Sequence, residues 1–295
     1  MYDVIIVGMG IGGITAGIYA KRANLNVLLI DKSAPGGLLN NIDLISNYPG
    51  FIDIKGPDLA LKLFEQVKSI EIPYKLEEVI KIKVNEDIKK VITNSNTYQT
   101  KNIIIATGTH PKYLGLDNEK ELLGRGLSTC ALCDGTFYKD KVIAVVGNGN
   151  SALQESLYLA KLAKKVYLLN RKDSFKGEEY LQDKVKNKEN IEIKYNVSIT
   201  KYNEVNNKIE SILLSNNEKI KVSGVFIYVG YKANSELVND LDIINADGRI
   251  MVDNNCETKI KGLYAVGDVN DKGIYQLITA SNDGVIAIAN ITKKI

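Results

Sequence analysis

The chain has 295 residues, of which 45% are hydrophobic and 25% are charged, a composition typical of a folded globular protein with about two domains. The formal net charge of +3 is too balanced to indicate a nucleic-acid partner. The sequence has no apolar run of membrane-spanning length, and its N-terminus enters an apolar strand without a basic leader. We therefore expect no membrane anchor and no signal peptide, and we predict a cytoplasmic protein.

The first segment of the chain predicts nucleotide binding. An apolar strand from Tyr2 to Val7 is followed by a glycine-rich turn, a helix from Ile14 to Ala23 and a strand from Asn26 to Ile30. The turn contains Gly8, Gly10, Gly12 and Gly13, and the second strand ends in Asp31. Such a turn lets a pyrophosphate approach the helix N-terminus, and the acid is placed to bind a ribose hydroxyl pair. The segment is therefore predicted to bind a dinucleotide.

The same pattern recurs in the second half of the chain. A strand from Lys141 to Val146 precedes a helix from Leu153 to Ala163 and a strand from Val166 to Leu169. The turn between the first two contains Gly147, Gly149, Asn150, Ser151 and Ala152, and the second strand is followed by Asn170, Arg171, Lys172 and Lys176. Cations without a carboxylate suit the 2′-phosphate of NADP, whereas a solvated basic turn is the alternative interpretation.

The segments that follow each strand–turn–helix–strand unit support an internal duplication. Short strand-like segments follow in both halves, from Val79 to Ile92 and from Ile191 to Val222. Another strand ends in Gly267 and Asp268, and a helix from Ile278 to Ile291 closes the chain. The two halves are therefore predicted to be diverged copies of one nucleotide-binding unit.

The scarcity of histidine and cysteine limits the metal chemistry. His110 is the only histidine, and we interpret it as a hinge or surface residue. Cys130 and Cys133 form a CxxC pair, and Cys256 is predicted to be a structural thiol. Zinc requires four ligands, so we predict no metal site and interpret the pair as a redox dithiol.

The order of these motifs resembles the low-molecular-weight thioredoxin reductases over nearly the whole chain. The landmarks are Gly8-x-Gly10-x-x-Gly13, Gly36-Gly37-Leu38-Leu39, Asn47-Tyr48-Pro49-Gly50, Ala106-Thr107-Gly108, Cys130-x-x-Cys133-Asp134, Gly147-x-Gly149-x-x-Ala152 and Gly267-Asp268-Val269. The CxxC followed by aspartate, just ahead of the second nucleotide-binding strand, is the most specific of them. Larger relatives of the glutathione reductase type place their cysteines near the N-terminus and add a dimerisation domain, for which this chain is too short.

The resemblance implies an α/β fold of two Rossmann-like nucleotide-binding domains, each of three layers (ββα), with the second inserted into the first. The FAD-binding domain would comprise residues 1–111 and 236–295, and residues 112–235 would form the NAD(P)-type domain that carries the dithiol. The segments 111–118 and 232–234 would be hinges about which the inner domain rotates. The family also implies a homodimer built from the FAD domains.

The resemblance also implies roles for individual residues. Cys133 would face the flavin, Cys130 would attack thioredoxin, and Asp134 would act as the acid and base for the dithiol. FAD would be bound by Gly8, Gly10, Gly12, Gly13, Asp31, Gly37, Leu38, Asn47, Ala106, Thr107, Gly108, Gly267, Asp268, Tyr275 and Gln276. An NADP site would comprise Gly147, Gly149, Asn150, Ser151, Ala152, Arg171, Lys172 and Lys176.

Two departures from the family pattern leave the electron donor open. NADPH-dependent members usually carry His-Arg-Arg and a further arginine where this chain has Asn170, Arg171, Lys172 and Lys176, and lysine lacks the planar two-pronged grip of arginine on phosphate. Near the flavin the family commonly has Arg-Gln, whereas this chain has Tyr275-Gln276, and the tyrosine could stack on the flavin. A sister group takes electrons from ferredoxin. We expect NADPH as the donor, with ferredoxin as the alternative.

Two further functions are compatible with the sequence. A related flavoprotein could oxidise small dithiols with oxygen, and a non-catalytic electron-transfer scaffold would bind FAD without needing the CxxC and its aspartate. Replacing Cys133 by serine separates the scaffold from the enzymes, because only the scaffold would keep its activity.

Overall fold

The computed structural model of the chain describes residues 1–84 and 87–295. The chain forms two compact units, one made of Met1–His110 and Lys232–Ile295 and the other of Pro111–Tyr231. Among the described residues, none of the helices combines the length and the apolar character that crossing a bilayer requires. The second unit interrupts the first along the chain, which is the insertion that the family resemblance implies.

Helices and strands alternate along the chain in the order expected of two α/β units. The first part of unit 1 contains β1 (Tyr2–Val7), α1 (Ile11–Arg22), β2 (Val27–Asp31), α2 (Gly56–Ser69), β3 (Tyr74–Leu76), β4 (Val79–Val84), β5 (Lys89–Thr93), β6 (Thr97–Ile105) and β7 (Thr109–Pro111). Unit 2 contains α3 (Glu119–Leu122), β8 (Leu127–Ser128), α4 (Ala131–Asp134), β9 (Val142–Gly147), α5 (Asn150–Leu159), β10 (Lys165–Asn170), α6 (Glu179–Lys186), β11 (Ile191–Tyr195), β12 (Ile199–Val205), β13 (Lys208–Leu214), β14 (Lys219–Lys221) and β15 (Gly224–Tyr228). The chain returns through β16 (Tyr231–Ala233), which pairs with β7, and ends with β17 (Leu263–Ala265) and α7 (Leu277–Lys294).

The sheet of unit 1 has the strand order β3-β2-β1-β6-β5-β4, and β17 also pairs with β6. β1 pairs in parallel with β2 and β6, so that Val4 lies opposite Val27 and Asn102. Within this one sheet, the strand β6 joins a parallel and an antiparallel part: its second half pairs in parallel with β1 and β17, and its first half pairs with β5 in an antiparallel meander. β1 is an apolar run because both faces of the parallel sheet are covered.

Three layers pack in unit 1. One face of the parallel sheet is covered by α1 and α7, whose buried residues include Ile14 and Ile288. The other face packs on the β4-β5 meander through Ile82 and Val91. The two helices approach so closely at Gly284 that a Cβ atom there would lie only 2.6 Å from the carbonyl oxygen of Gly12.

Unit 2 repeats this architecture on a smaller scale. Its parallel sheet has the order β11-β10-β9-β15-β8, and β12, β13 and β14 form a separate antiparallel meander. The helices α5 and α6 cover one face through residues such as Leu153 and Val185. Residues of the meander such as Tyr202 and Ile212 cover the other face. The prediction of two Rossmann-like ββα units is confirmed.

The observed element boundaries differ from the predicted ones for local reasons. Both helices after the glycine turns begin three residues earlier than predicted, at Ile11 and Asn150, because the last residues of each turn adopt helical geometry. The return boundary falls at Tyr231, whereas the sequence places it after residue 235. Asn234 and Ser235 bind unit 1, since their side chains donate to the carbonyl oxygens of Thr107 and Gly248.

Replacing Gly284 by alanine tests the close packing of α1 on α7. The added Cβ would lie 2.6 Å from the Gly12 oxygen and 2.9 Å from the Ala16 nitrogen, so the helices must separate. We expect a loss of about 1–3 kcal/mol in the free energy of unfolding, measured by urea denaturation. Gly273→Ala is the matched control, because its Cβ would meet no atom within 4 Å. Equal stability of the two variants would contradict this packing.

Candidate functional site

The glycine turn of unit 1 is shaped by two close backbone approaches. Gly8 has φ = 109°, and a Cβ atom there would lie 2.3 Å from the carbonyl oxygen of Ala106. A Cβ atom on Gly13 would lie 2.0 Å from the oxygen of Gly8. Neither position can carry a side chain, because the strand, the turn and the helix would have to move apart.

The turn leaves an open cradle at the N-terminus of α1. Gly10 precedes the helix, no side chain caps its first amides, and a Cβ atom on Gly10 would meet nothing within 4 Å. Gly37 borders this space, since its Cβ would lie 3.4 Å from the Gly10 Cα. Leu38 follows in a single 3₁₀ turn, Gly37–Asn41. Free amides, a positive helix end and open space together suit a phosphate group.

Asp31, the last residue of β2, holds the glycine turn of unit 1 by hydrogen bonds. One carboxylate oxygen accepts from the Met9 amide at 2.6 Å, and the other accepts from the Ser33 amide at 3.0 Å. A carboxylate has about four acceptor positions, so these bonds leave room for the predicted ribose contact. The structure adds a role that the spacing alone does not indicate, which is to hold the loop.

A second group of predicted residues meets at the N-terminus of α7. The Asn47 side-chain amide donates to the Gln276 side chain at 3.3 Å, which joins two predicted FAD-binding residues 229 positions apart in sequence. Gln276 and Thr279 form a capping box at the start of the helix. Burial raises the pKa of the Asp268 carboxyl group, which lies in the short turn Gly267–Val269.

A buried ion pair, which the sequence analysis missed, holds the Gly267 turn. Asp283 accepts from the Gly267 amide at 3.0 Å, from the Asn270 side chain at 3.2 Å and from the Lys272 ammonium at 2.6 Å. Both partners of the ion pair are largely buried, with the side chains of Lys272 and Asp283 15% and 11% exposed. The available signal was the single acidic residue of α7. Its structural role is to fix the backbone that carries Asp268.

Asn234 holds the Ala106-Thr107-Gly108 turn, and it too was missed as a site residue. Its side-chain amide donates to the Thr107 carbonyl oxygen at 2.8 Å, and its own carbonyl accepts from the Thr107 hydroxyl at 2.6 Å. Its amide nitrogen donates to the Gly108 oxygen at 3.0 Å, and the His110 ring lies 2.5 Å from its side-chain oxygen. His110 therefore belongs to this connection, as a partner of the Asn234 side chain.

The dithiol of unit 2 is present as a disulfide in a tight turn. Cys130 and Cys133 are bonded, with their Cα atoms 5.4 Å apart, across the start of the short helix α4. The Cys130 sulfur accepts from the Cys133 amide at 3.1 Å, and the Cys130 amide donates to the Ser128 hydroxyl at 3.1 Å. Asp134 ends the helix and donates its amide to the Cys130 oxygen at 3.1 Å. The backbone thus orders both sulfurs and the neighbouring carboxylate.

Tyr228 supports the dithiol turn from β15. Its hydroxyl accepts from the Ala131 amide at 2.9 Å, and burial raises the pKa of the phenol well above its ordinary value. Tyr228 therefore stays protonated and acts as a neutral hydrogen-bonding group. The sequence analysis missed it because it lies 97 positions from its partner.

The glycine turn of unit 2 repeats the open cradle. A Cβ on Gly147 would lie 2.3 Å from the Tyr228 oxygen, whereas a Cβ on Gly149 would meet nothing within 4 Å. No side chain caps α5, whose first turn contains Asn150, Ser151 and Ala152. The Asn150 side chain is bonded to Glu178 through its oxygen at 2.8 Å and its nitrogen at 2.9 Å, so it is a support of this loop.

Three cations lie at the edge of this cradle. Arg171 and Lys172 follow the end of β10, which pairs with β9 beside the turn, and the Lys176 amide donates to the Asn148 oxygen at 2.8 Å. All three side chains are exposed, and none forms an ion pair with another described residue. Asn170 is buried and donates to the Ser174 oxygen at 2.8 Å, so it shapes the turn instead of facing a ligand.

The predicted residues therefore form two groups. Those expected to bind FAD all lie in unit 1, and the dithiol, the second glycine turn and the three cations all lie in unit 2. Cys256 belongs to neither group, since it is a buried free thiol in the core of unit 1. No cluster of metal ligands is found among residues 1–84 and 87–295.

Thiol labelling tests the burial of Cys256. Burial raises the pKa of this thiol to about 12, so that at pH 8 only about one molecule in ten thousand carries the reactive thiolate. After reduction of the native protein, we expect iodoacetamide to label Cys130 and Cys133 and to spare Cys256. Mass spectrometry should count two labels in the native protein and three in urea. Rapid addition of a third label to the native protein would contradict this environment.

Comparisons with known proteins agree with this arrangement. Residues 2–284 match the family model of pyridine nucleotide-disulphide oxidoreductases. The thioredoxin reductase of Bacillus subtilis is 38% identical over 99% of this chain and 94% of its own length. The crystal structure of Lactococcus lactis thioredoxin reductase superposes with a TM-score of 0.96 at 36% identity, covering 99% of this chain and 98% of that chain.

A relative with another electron donor is also similar. A ferredoxin-flavin thioredoxin reductase of Clostridium acetobutylicum is 30% identical, with a TM-score of 0.56 over 99% of this chain and 97% of that chain. The chain therefore belongs to the pyridine nucleotide-disulphide oxidoreductase family, in its thioredoxin reductase branch, whose members are FAD-dependent oxidoreductases that act on sulfur groups.

Proposed function

We propose that this protein reduces thioredoxin with electrons from NADPH, by way of FAD in unit 1 and the Cys130–Cys133 pair in unit 2. The observation that carries the donor assignment is the open cradle at Gly149 with three unpaired, exposed cations at its edge. A 2′-phosphate on the adenosine ribose would supply the counter-ion for these cations. Unit 1 is then the FAD-binding domain and unit 2 the pyridine-nucleotide domain.

The residues of unit 1 fit FAD by their donor set. The free amides around Gly10 would hold the pyrophosphate, Asp31 would bind a ribose, and the Asn47–Gln276 pair with Asp268 would border the other end of the cofactor. When bound, FAD supplies two-electron redox chemistry between a pyridine nucleotide and a disulfide. We also propose a homodimer, on the family resemblance alone, and a cytoplasmic location, on the sequence pattern and the reducing conditions that the dithiol needs.

The dithiol would transfer electrons by thiol–disulfide exchange. In the reduced protein, the Cys130 thiolate attacks one thioredoxin sulfur, which forms a mixed disulfide and releases the other thioredoxin sulfur as a thiolate. The Cys133 thiolate then attacks the Cys130 sulfur, which restores the internal disulfide and releases the second thioredoxin thiolate. Asp134 would exchange the protons that these thiolates require, and Ser128 and Tyr228 would hold the turn in place.

Ferredoxin is a second candidate donor. The similarity to the Clostridium acetobutylicum enzyme supports it, as does the presence of lysine at two of the three cationic positions. Under that alternative the Gly149 cradle would bind no nucleotide, and the cations would be solvated. Thioredoxin remains the electron acceptor in both cases.

Anaerobic reduction of the purified holoenzyme tests the donor. NADPH, NADH and photoreduced ferredoxin are added to separate samples, and the flavin absorbance band is followed. We expect NADPH to bleach the band within seconds and to support thioredoxin reduction, and NADH to act far more slowly. Bleaching by ferredoxin alone would reject the NADPH assignment and establish the alternative.

Replacing the cations tests the phosphate site. Removing two of them, in Arg171→Ala/Lys172→Ala, should raise the KM for NADPH about 10- to 100-fold and leave the rate with NADH unchanged, because only NADPH carries the 2′-phosphate. Lys161→Ala is the matched control, since Lys161 is exposed and lies about 15 Å away, beyond the C-terminal end of α5. Equal changes in the kinetics with NADPH and with NADH would show that the cations do not bind the 2′-phosphate.

Replacing the dithiol residues tests the exchange chemistry. Cys133→Ser should abolish thioredoxin reduction while NADPH still bleaches the flavin, because the block lies after the flavin step. Asp134→Asn should lower kcat by about 10²- to 10⁴-fold with the same flavin reduction by NADPH. Thioredoxin reduction by Cys133→Ser at the unmodified rate would contradict the mechanism and favour the scaffold alternative.

A further inference from the structure

Arg249 is placed beside the predicted FAD site by main-chain pairing. The neighbouring Ile250 donates its amide to the Val269 oxygen at 3.0 Å and accepts from the Asp271 amide at 3.1 Å. These bonds fix the segment alongside the Gly267–Val269 turn. The position of Arg249 next to Asp268 therefore does not depend on its own side chain.

The guanidinium of Arg249 makes two specific contacts. Its carbon lies 3.8 Å from the centroid of the Tyr275 ring, in the geometry of a cation–π interaction. One of its nitrogens donates to the backbone oxygen of Asp268. Both contacts hold the planar group in a defined orientation. Tyr275 stands where the family commonly has the arginine of its Arg-Gln pair.

The charge on Arg249 has no counter-ion within the described part of the chain. The side chain is half-buried and forms no ion pair with any described residue. The acids whose charges act within this cluster are Asp268, Asp247, Asp271 and Asp283; none forms an ion pair with the guanidinium, and Asp283 is paired with Lys272. A half-buried cation in this situation is favourable where a ligand supplies negative charge.

The geometry points to Arg249 as the residue that places a positive charge beside the flavin end of FAD, with Tyr275 as its positioning residue. This assignment rests on the proposed binding of FAD in unit 1. The cluster adjoins Gln276, which is bonded to Asn47, and Asp268, so it lies among three residues predicted to bind the cofactor. Tyr275 would then support the arginine from one face of its ring instead of stacking alone on the flavin.

A fixed cation at this place would stabilise the reduced cofactor more than the oxidised one. Reduction of a flavin by two electrons with uptake of one proton leaves its ring system with one more negative charge. An oriented charge favours the state that carries more negative charge, without reorganisation at the moment of transfer. Arg249 would therefore raise the reduction potential of the bound flavin.

The test is the midpoint potential of the flavin in full-length holoenzyme, measured against a reference dye at the flavin band. Arg249→Gln should weaken binding of reduced FAD relative to oxidised FAD by about tenfold, which lowers the midpoint by about 30 mV for a two-electron couple. Arg249→Lys keeps the charge and should stay within about threefold of the unmodified protein. The matched control is Arg22→Gln, an exposed arginine at the far end of α1, and it should leave the potential unchanged.

The outcomes separate this inference from the proposed function. If Arg249→Gln does not retain FAD, retention by Arg249→Lys with a near-normal potential supports the role of the charge. An unchanged potential in Arg249→Gln, or an equal loss in the lysine and glutamine variants, overturns the inference while NADPH-dependent thioredoxin reduction stands. An unmodified protein that binds no FAD would instead refute the proposed function itself.

Discussion

The structure depends on two helix ends whose first amides face open space. A serine, threonine, asparagine or aspartate often satisfies such amides, but the residues before α1 and α5 are glycines, and a Cβ atom on either would meet nothing within 4 Å. The open ends persist because the glycine turns are held from outside. In unit 1 the Asp31 carboxylate binds the Met9 amide, and in unit 2 Asn150 and Glu178 brace the loop. A ligand with phosphate groups is what completes such an end.

A second constraint is that buried polar side chains must hold the turns that carry the functional residues. The buried Asp283–Lys272 pair fixes the turn that presents Asp268, and Tyr228 fixes the turn that presents the dithiol. These groups are costly to bury, and each is satisfied: Asp283 by two hydrogen bonds and the Lys272 charge, and the Tyr228 hydroxyl by the Ala131 amide. Their contribution is geometric, because they hold backbone segments that themselves carry the chemistry.

The sequence predicts the parts of this molecule that follow local rules. Glycine turns between strands and helices, the CxxC pair and the cations after β10 are all visible as spacing, and the structure has the α/β units that they predict. The residues that hold the functional turns in place could not be predicted from local spacing. Asn234 meets Thr107 across 127 positions, and Arg249 meets Tyr275 through the pairing of Ile250 with residues near 270. Such contacts depend on the tertiary fold, and no local pattern marks them.

NADPH is the donor only if the cations beside the Gly149 cradle recognise a 2′-phosphate. Isothermal titration of the oxidised holoenzyme with NADP⁺ and with NAD⁺ tests this claim without any electron transfer. We expect NADP⁺ to bind at least about tenfold more tightly than NAD⁺, and rising salt to reduce the difference, because exposed charges make the discrimination. Equal affinities for the two nucleotides, or no binding of either, would contradict it.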